Sequence, residues 1–253
     1  MALILIGLGL YGDENKERIL KYVESADVIY IERYTSPLGN IPSYILEAGG
    51  DRVVLVSRKD LEEGGSEIVK EALNKNVVVI TPGNPMIATT HSYLIIEARK
   101  MGVKAEIVHG TSSICAAIAE SGLHIYKLGG VSTVVRGEKA SIDRVLKIIR
   151  DNLMRGLHTL LLLEYASDED YMMSPPEAIN ILLERDSEGV LSPSRMVVVL
   201  CNLGREDMRI CVSTIGELAN MPSTGEDWGT CILIIPGELH FMEREYLDIL
   251  NRC

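Results

Sequence analysis

The chain has 253 residues, 47% of them hydrophobic and 24% charged, which suits a soluble globular protein of one large domain or two modest ones. No apolar run reaches the roughly 18 residues of a membrane-spanning helix, and no basic segment precedes the apolar N-terminus, so we expect a cytoplasmic protein. The net charge of −11 argues against nucleic acid as the main ligand and suits a small molecule or a basic protein partner.

Short runs rich in valine and isoleucine recur through the first 110 residues, with helical segments between them. The runs are apolar throughout rather than alternating, which is typical of strands covered on both faces of a parallel sheet. These predicted strands are residues 2–7, 27–32, 52–57, 76–81 and 105–110. Helices are predicted over residues 14–25, 66–75 and 92–102.

The remainder of the chain again mixes the two kinds of element. Strands are predicted at residues 131–135, 158–164, 195–201, 208–213 and 230–237, and helices at 114–121, 141–156, 174–186 and 213–220. We therefore expect an α/β fold of two α/β domains, residues 1–111 and 112–253, with a mainly parallel sheet in the first.

The cysteines are odd in number and none belongs to a C-x-x-C pair. Most lie in apolar surroundings, so we interpret them as free structural thiols, with a disulfide expected only if the source were a hyperthermophile. They are Cys115, Cys201, Cys211, Cys231 and Cys253. No cluster of histidine and cysteine has the spacing of metal ligands, and we expect no metal.

The sequence GLGLYG after the first strand matches G-x-G-x-x-G, and Glu32 lies 20 residues beyond Gly12, as in a dinucleotide-binding fold. A nicotinamide-dependent oxidoreductase is therefore one interpretation. Against it, Asp13 and Glu14 place negative charge where a pyrophosphate would lie, and they suit the helix start as caps. The pattern favours a ligand without a pyrophosphate, or a turn that binds nothing.

The sequence TPGNPMIATTH, residues 81–91, ends the fourth predicted strand with more turn-forming residues than a plain connection needs. In open α/β sheets, ligands bind at the carboxyl ends of parallel strands. Glycine at this point permits close approach of the backbone. We expect this loop to form part of a ligand site.

Several motifs in order along the chain carry a resemblance: GLGLYG, IERYTS, TPGNPMIATTH, GTSSI, SGLHIYKLGG, RGLHTLLLLE and IPGELHFMEREYL. The set resembles the diphthine synthase family of the tetrapyrrole methylase superfamily. The resemblance implies a homodimer that binds S-adenosylmethionine (SAM) in a cleft between two α/β domains and releases S-adenosyl-L-homocysteine. It implies methyl transfer to the amino group of a 3-amino-3-carboxypropyl-histidine on translation elongation factor 2, giving diphthine in diphthamide biosynthesis.

The resemblance also implies SAM contacts at positions that match the family motifs. These are Leu10, Asn84, Ile87, Ser113, Ile114, Leu163, Val212 and His240. At one of them this chain departs from the family pattern, which reads PGDP where this sequence reads PGNP. Asn84 keeps an acceptor oxygen but lacks the charge of aspartate, so attraction to the cationic SAM is reduced there.

Methyl transfer to an amine requires the amine to lose its proton, and the family supplies no general base to carry over. Our candidates are Glu32 and Tyr34, at the carboxyl end of a predicted strand, and His91, at the start of a predicted helix. We assign His109, His124 and His158 to structure because they lie in apolar surroundings. A corrin or porphyrin methyltransferase and a non-enzymatic binding module remain as alternatives.

Overall fold

In the computed structural model, which describes residues 1–32, 41–137, 139–167, 169–223 and 228–253, the first five apolar runs form one parallel sheet. Its strands are β1 (Ala2–Gly7), β2 (Val28–Glu32), β3 (Val53–Val56), β4 (Asn76–Thr81) and β5 (Lys104–Val108), in the order β3-β2-β4-β1-β5. The helices are α1 (Lys16–Ser25), α2 (Ser43–Gly49), α3 (Arg58–Glu62), α4 (Gly65–Glu71) and α5 (Ser92–Lys100). They belong to a compact unit, Met1–Ser113. The predicted parallel sheet is confirmed, whereas α2 and α3 were not predicted.

Both faces of this sheet are covered. One face of β1 and β4 packs with residues of α3, α4 and α5, and the other with residues of α1 and α2. Along β1, Leu3 and Leu5 point to the first face and Ile4 and Ile6 to the second, and all four are buried. This explains why the strands are apolar throughout. Since β1 lies between β4 and β5, the loops that leave these three strands come together at one edge.

The second compact unit, Ile114–Cys253, has a mixed sheet in the order β11-β10-β12-β7-β6. Its strands are β6 (Leu128–Val134), β7 (His158–Leu163), β10 (Met196–Cys201), β11 (Arg209–Thr214) and β12 (Cys231–Ile235), and β8 (Tyr165–Ala166) pairs with β9 (Tyr171–Met172) in a hairpin. The helices are α6 (Ser113–Ser121), α7 (Lys139–Met154), α8 (Pro175–Arg185), α9 (Ile215–Ala219) and α10 (Phe241–Ile249). Only β6 and β7 pair in parallel among the described strands of this sheet.

The small hairpin and α10 were not predicted. The signal for α10 was present, because His240 and Glu243 form a capping box at its start. The prolines predicted in the first turn of α8 are confirmed, with Ser174 as the cap.

The expectation of free thiols is wrong for four of the five cysteines. Cys201 and Cys231 lie directly opposite each other on β10 and β12 and form a disulfide. Cys211 of β11 forms a second disulfide with Cys253, and Cys115 is free and exposed. Sequence spacing could not show these pairs, because the register of β10 against β12 brings the first pair together and the course of the C-terminal tail along β11 brings the second.

The second disulfide fixes the C-terminal tail along β11, the edge strand. The N–H of Val212 donates to the Asn251 carbonyl at 2.9 Å, and the N–H of Cys253 donates to the Val212 carbonyl at 3.3 Å. The tail therefore covers part of an otherwise unpaired strand edge.

We predict that Cys253→Ser lowers the free energy of unfolding by about 2–4 kcal/mol, because it opens a closed loop and frees the tail. Denaturant unfolding without reductant measures this change, and Cys115→Ser is the matched control with no expected effect. Alkylation of the denatured, unreduced wild-type chain should label Cys115 alone. Labelling of all the cysteines would contradict the pairing.

Candidate active site

Three loops of the first unit meet backbone to backbone, one after each of β1, β4 and β5. Gly9 and Gly83 each donate an N–H to the other's carbonyl at 3.0 Å. A Cβ on Gly110 would lie 2.4 Å from the Gly9 nitrogen and 2.5 Å from the Gly83 oxygen. No side chain fits at Gly110, whereas Gly9 and Gly83 have positive φ angles of +70° and +60°, which favour glycine.

The carboxylate of Glu14 accepts hydrogen bonds from backbone N–H groups of the loops after β1 and β5. It accepts the N–H of Leu10 at 2.8 Å and that of Thr111 at 2.9 Å. Burial raises the pKa of the Glu14 carboxyl, but these hydrogen bonds outweigh burial and hold the pKa below its ordinary value. Gly9 has φ of +70°, and a Cβ there would lie within about 2 Å of this carboxylate.

Glu14 was expected to cap α1, and that expectation is wrong. The helix starts at Lys16, and Asn15 stands at its N-cap in a left-handed conformation without a side-chain cap bond. The negative charge lies instead inside the loop, where a dinucleotide-binding protein holds phosphate. A phosphate would have to displace a carboxylate from its hydrogen bonds, which disfavours the nicotinamide interpretation.

Asn84 joins the loop after β4 to the loop after β5. Its Nδ2 donates to the Gly110 carbonyl at 2.9 Å and lies 3.2 Å from His109 Nδ1, while its Oδ1 accepts the N–H of Met86 at 3.1 Å. His109 is exposed, so the expectation that it lies in apolar surroundings is wrong. An aspartate at position 84 has no hydrogen to donate to either acceptor.

Glu32 and His91, two of the catalytic candidates, lie together. Nε2 of His91 is 3.8 Å from Oε2 of Glu32, and the side chains are 3% and 0% exposed. Burial lowers the pKa of His91, against the opposite effects of the Pro85 carbonyl and the Glu62 charge. His91 Nδ1 is 3.3 Å from the Pro85 carbonyl. This contact joins the buried pair of Glu32 and His91 to the 82–91 loop. Tyr34, the third candidate, lies outside the described residues.

In the second unit, the buried carboxylate of Glu243 joins three sequence motifs. It accepts the backbone N–H of His124 at 2.8 Å and of His240 at 2.7 Å. It also accepts Lys127 Nζ and His158 Nε2, each at 2.9 Å. The motifs GLHIYK, RGLHTLLLL and PGELHFMEREYL therefore converge on one acceptor.

The protonation states of this cluster follow from its hydrogen bonds. Burial raises the pKa of Glu243, but the four donors outweigh it and bring the pKa to about 2. His158 Nδ1 accepts the N–H of Gly237 at 3.0 Å, so its proton is on Nε2 and points to Glu243. Burial lowers the pKa of His158 despite the neighbouring carboxylate, which keeps the imidazole neutral.

A family model described as Tetrapyrrole (Corrin/Porphyrin) Methylases matches residues 2–219. A diphthine synthase of Methanocaldococcus jannaschii is 38% identical over 98% of both chains, and one of Pyrobaculum calidifontis is 38% identical over 97% of both. A crystal structure of a diphthine synthase has a TM-score of 0.85 and 30% identity, covering 99% of this chain and 96% of that one.

The chain belongs to the diphthine synthases, within the tetrapyrrole methylase family. As a member of this family it is a methyltransferase that uses SAM as its methyl donor. The loops of the first unit fit such a donor, because the Glu14 carboxylate replaces the phosphate of a nucleotide and because SAM is a cation without phosphate. The predicted fold class is confirmed by the same structural similarity.

Some of the predicted SAM contacts lie on the three glycine loops of the first unit, and others belong to the second unit. Leu10 and Asn84 lie on these loops, and Ile87 is 40% exposed on the loop after β4. Ser113 and Ile114 begin α6. In the second unit, Leu163 ends β7.

The other two predicted contacts of the second unit, His240 and Val212, differ in their exposure. His240 is exposed at the N-cap of α10. Val212 is 1% exposed, and both of its main-chain polar groups bond to the C-terminal tail. Its side chain is buried in the core of the second unit, so Val212 presents almost no surface to a ligand.

Sequence reasoning missed two roles. The role of Glu14 as an internal substitute for phosphate depends on a contact with Thr111, far along the chain, which no local pattern shows. The role of Glu243 had a partial signal in its spacing from His240, but its bonds to His124, Lys127 and His158 depend on the fold.

We predict that Glu243→Gln lowers the free energy of unfolding at pH 7 by about 3 kcal/mol, the equivalent of the fall in pKa from 4.5 to about 2. The folded-state pKa is depressed, so this stabilisation is fully present above pH 4.5 and is lost as the pH falls through about 2. Denaturant unfolding between pH 7 and pH 2 should show the two proteins converging at low pH.

Glu245→Gln is the matched control, because Glu245 is an exposed glutamate of the same helix. Its effect should remain within about 0.5 kcal/mol at every pH. A constant difference between wild type and Glu243→Gln down to pH 2 would contradict the role of the charge.

Proposed function

We propose that this methyltransferase methylates the amino group of the 3-amino-3-carboxypropyl-histidine on translation elongation factor 2, giving diphthine. The observation that carries the proposal is similarity to diphthine synthases over nearly the whole chain. The Glu14 carboxylate in the glycine loop supports it, because it suits a cationic methyl donor better than a nucleotide. When bound, SAM supplies an electrophilic methyl group and leaves as S-adenosyl-L-homocysteine.

The proposed SAM contacts are those implied by the family motifs. In the first unit they are Leu10, Asn84, Ile87 and Ser113, and in the second they are Ile114, Leu163, Val212 and His240. Nδ1 of His240 accepts the N–H of Met242 at 3.3 Å, so in the neutral ring Nε2 carries the proton and can donate to a ligand.

Glu32 and His91 enter the proposal as residues that hold the 82–91 loop. Both are buried, so neither reaches a substrate amine in the described conformation. The chain otherwise orients donor and amine for in-line transfer. Rigid loops increase this contribution to the rate, because they hold the two reacting groups in line. The amine must lose its proton before it attacks, and we assign no side chain to that step.

We further propose that the enzyme is a homodimer, as the family resemblance implies, and that it acts in the cytoplasm, where translation factors are found. No helix among the described residues is long and apolar enough to cross a membrane. The net charge of −11 favours a protein substrate over nucleic acid. We propose no metal, and the described residues hold no group of three or more candidate ligands.

Mass spectrometry of purified elongation factor 2 that carries the aminocarboxypropyl group tests this function. Incubation with the enzyme and SAM should add mass in steps of one CH₂ unit, and the largest step counts the methyl groups. One S-adenosyl-L-homocysteine should appear for each methyl group added. SAM binding without any mass gain on this protein would contradict the proposed substrate, and tetrapyrroles would then be the next substrates to test.

We predict that Asn84→Asp weakens SAM binding by about tenfold, or ~1.4 kcal/mol, although it adds negative charge beside a cationic ligand. The new carboxylate oxygen would face the Gly110 carbonyl in place of a donor 2.9 Å away. Isothermal titration with SAM and with the neutral S-adenosyl-L-homocysteine separates the two effects, since loss of the loop contact weakens both ligands.

Asn180→Asp is the matched control, because it removes a similar bond, from Nδ2 to the Ala219 carbonyl at 3.2 Å in the second unit. Its SAM affinity should equal that of wild type. Tighter SAM binding by Asn84→Asp would show that charge at position 84 matters more than the loop contact.

A further inference from the structure

Large apolar side chains are exposed around α10 and the turn that precedes β6. Tyr126 is 95% exposed, Phe241 71%, Met242 57% and Ile125 54%. Ile249 is 76% exposed farther along the same helix. We name this surface the α10 face and define it by Ile125, Tyr126, Phe241, Met242, Tyr246 and Ile249. Exposed apolar groups of this size in one region mark an interaction site.

Contacts between rings and side chains make the two segments of the α10 face continuous. The ring of Phe241 lies 4.3 Å from that of His240, which lies 5.2 Å from that of His124. Tyr246 packs on Gly122, and its hydroxyl donates to the Glu120 carbonyl at 3.2 Å. Met242, Tyr246 and Ile249 follow helical spacing and so lie along one side of α10.

The face is held rigidly from behind. Glu243 and Leu247 point from α10 into the core, at 0% and 2% exposure. The Glu243 carboxylate bonds the backbone of both segments, at His124 and at His240. Binding of a partner would therefore cost little conformational entropy on this surface, which favours recognition.

Charges around the face select the kind of partner. Glu238, Glu245 and Asp248 are exposed acidic residues beside it, and Arg244 is the exposed basic residue of α10. A second copy laid on this face would place these carboxylates near one another. A partner with apolar side chains flanked by lysine or arginine would be attracted instead.

The position of the face connects it to the reaction. His240, a proposed SAM contact, is the N-cap of α10, and Phe241 follows it directly. A protein bound on the α10 face therefore lies beside the methyl donor. We propose that this face binds the protein substrate through a segment of apolar side chains flanked by basic residues. This inference rests on the proposed function.

Steady-state methylation of elongation factor 2 that carries the aminocarboxypropyl group tests the inference. Tyr126→Ala and Phe241→Ala should each raise KM for this protein by about tenfold, the effect of removing one central aromatic residue from an interface. In Tyr126→Ala, affinity for SAM by titration and kcat at saturating substrate should not change. Asp248→Lys should also raise KM, and added salt should raise the wild-type KM.

Met154→Ala is the matched control, because Met154 is 73% exposed at the end of α7, outside the α10 face. It should leave KM unchanged. All the substituted side chains are on the surface, and equal Tm values would show that the variants are folded.

Unchanged KM in both aromatic variants would overturn the inference. Conversion of a wild-type dimer to monomers by Phe241→Ala in sedimentation would also overturn it, and would assign the face to a second copy. A wild-type enzyme that fails to bind SAM or to methylate this protein would remove the proposed function itself, and that result is distinguishable because it needs no variant.

Discussion

The bond between the Glu14 carboxylate and the backbone N–H groups of Leu10 and Thr111 determines what the first unit can bind. A glycine loop after the first strand of a parallel sheet is a usual place for phosphate. Here the protein supplies its own anion at that place. The same carboxylate connects the loop after β1 to the loop after β5, so it contributes both to the shape of the site and to its charge.

Backbone contacts between glycines complete this arrangement. Gly9 and Gly83 exchange hydrogen bonds, and Gly110 packs against both without room for a side chain. Asn84 adds a neutral amide between the loops after β4 and β5. Glu14 already places a negative charge among these loops, so the proposed SAM site does not depend on a charge at position 84.

In the second unit, one buried acceptor has a comparable role. Glu243 fixes the segment of His124 and Lys127 to the start of α10 and accepts the Nε2–H of His158, which burial keeps neutral. A carboxylate with four donors is stable in the interior, whereas one with a missing donor carries an uncompensated cost of burial. The sequence motifs of this unit therefore supply the residues of one hydrogen-bonded cluster. The same cluster holds the two segments of the exposed α10 face in place.

Sequence patterns predicted the elements whose signal is local. The apolar strands, the proline-initiated helix α8 and the loop of turn-formers after β4 follow from propensity and periodicity. Sequence patterns did not predict contacts between distant segments. These contacts are the disulfides, the hydrogen bond from Thr111 to Glu14, and the hydrogen bonds between Val212 and the C-terminal tail. The predicted SAM contacts came from family motifs, and no periodicity would have identified them.

The central claim is that Glu14 makes the glycine loop a site for a cationic methyl donor and not for a nucleotide. Isothermal titration of the wild-type protein with SAM and with NADH under the same conditions tests it most directly. The account predicts saturable heat with SAM and no binding heat with NADH. Binding of NADH as tight as that of SAM would contradict it, because the dinucleotide would then have reached the N–H groups that Glu14 holds.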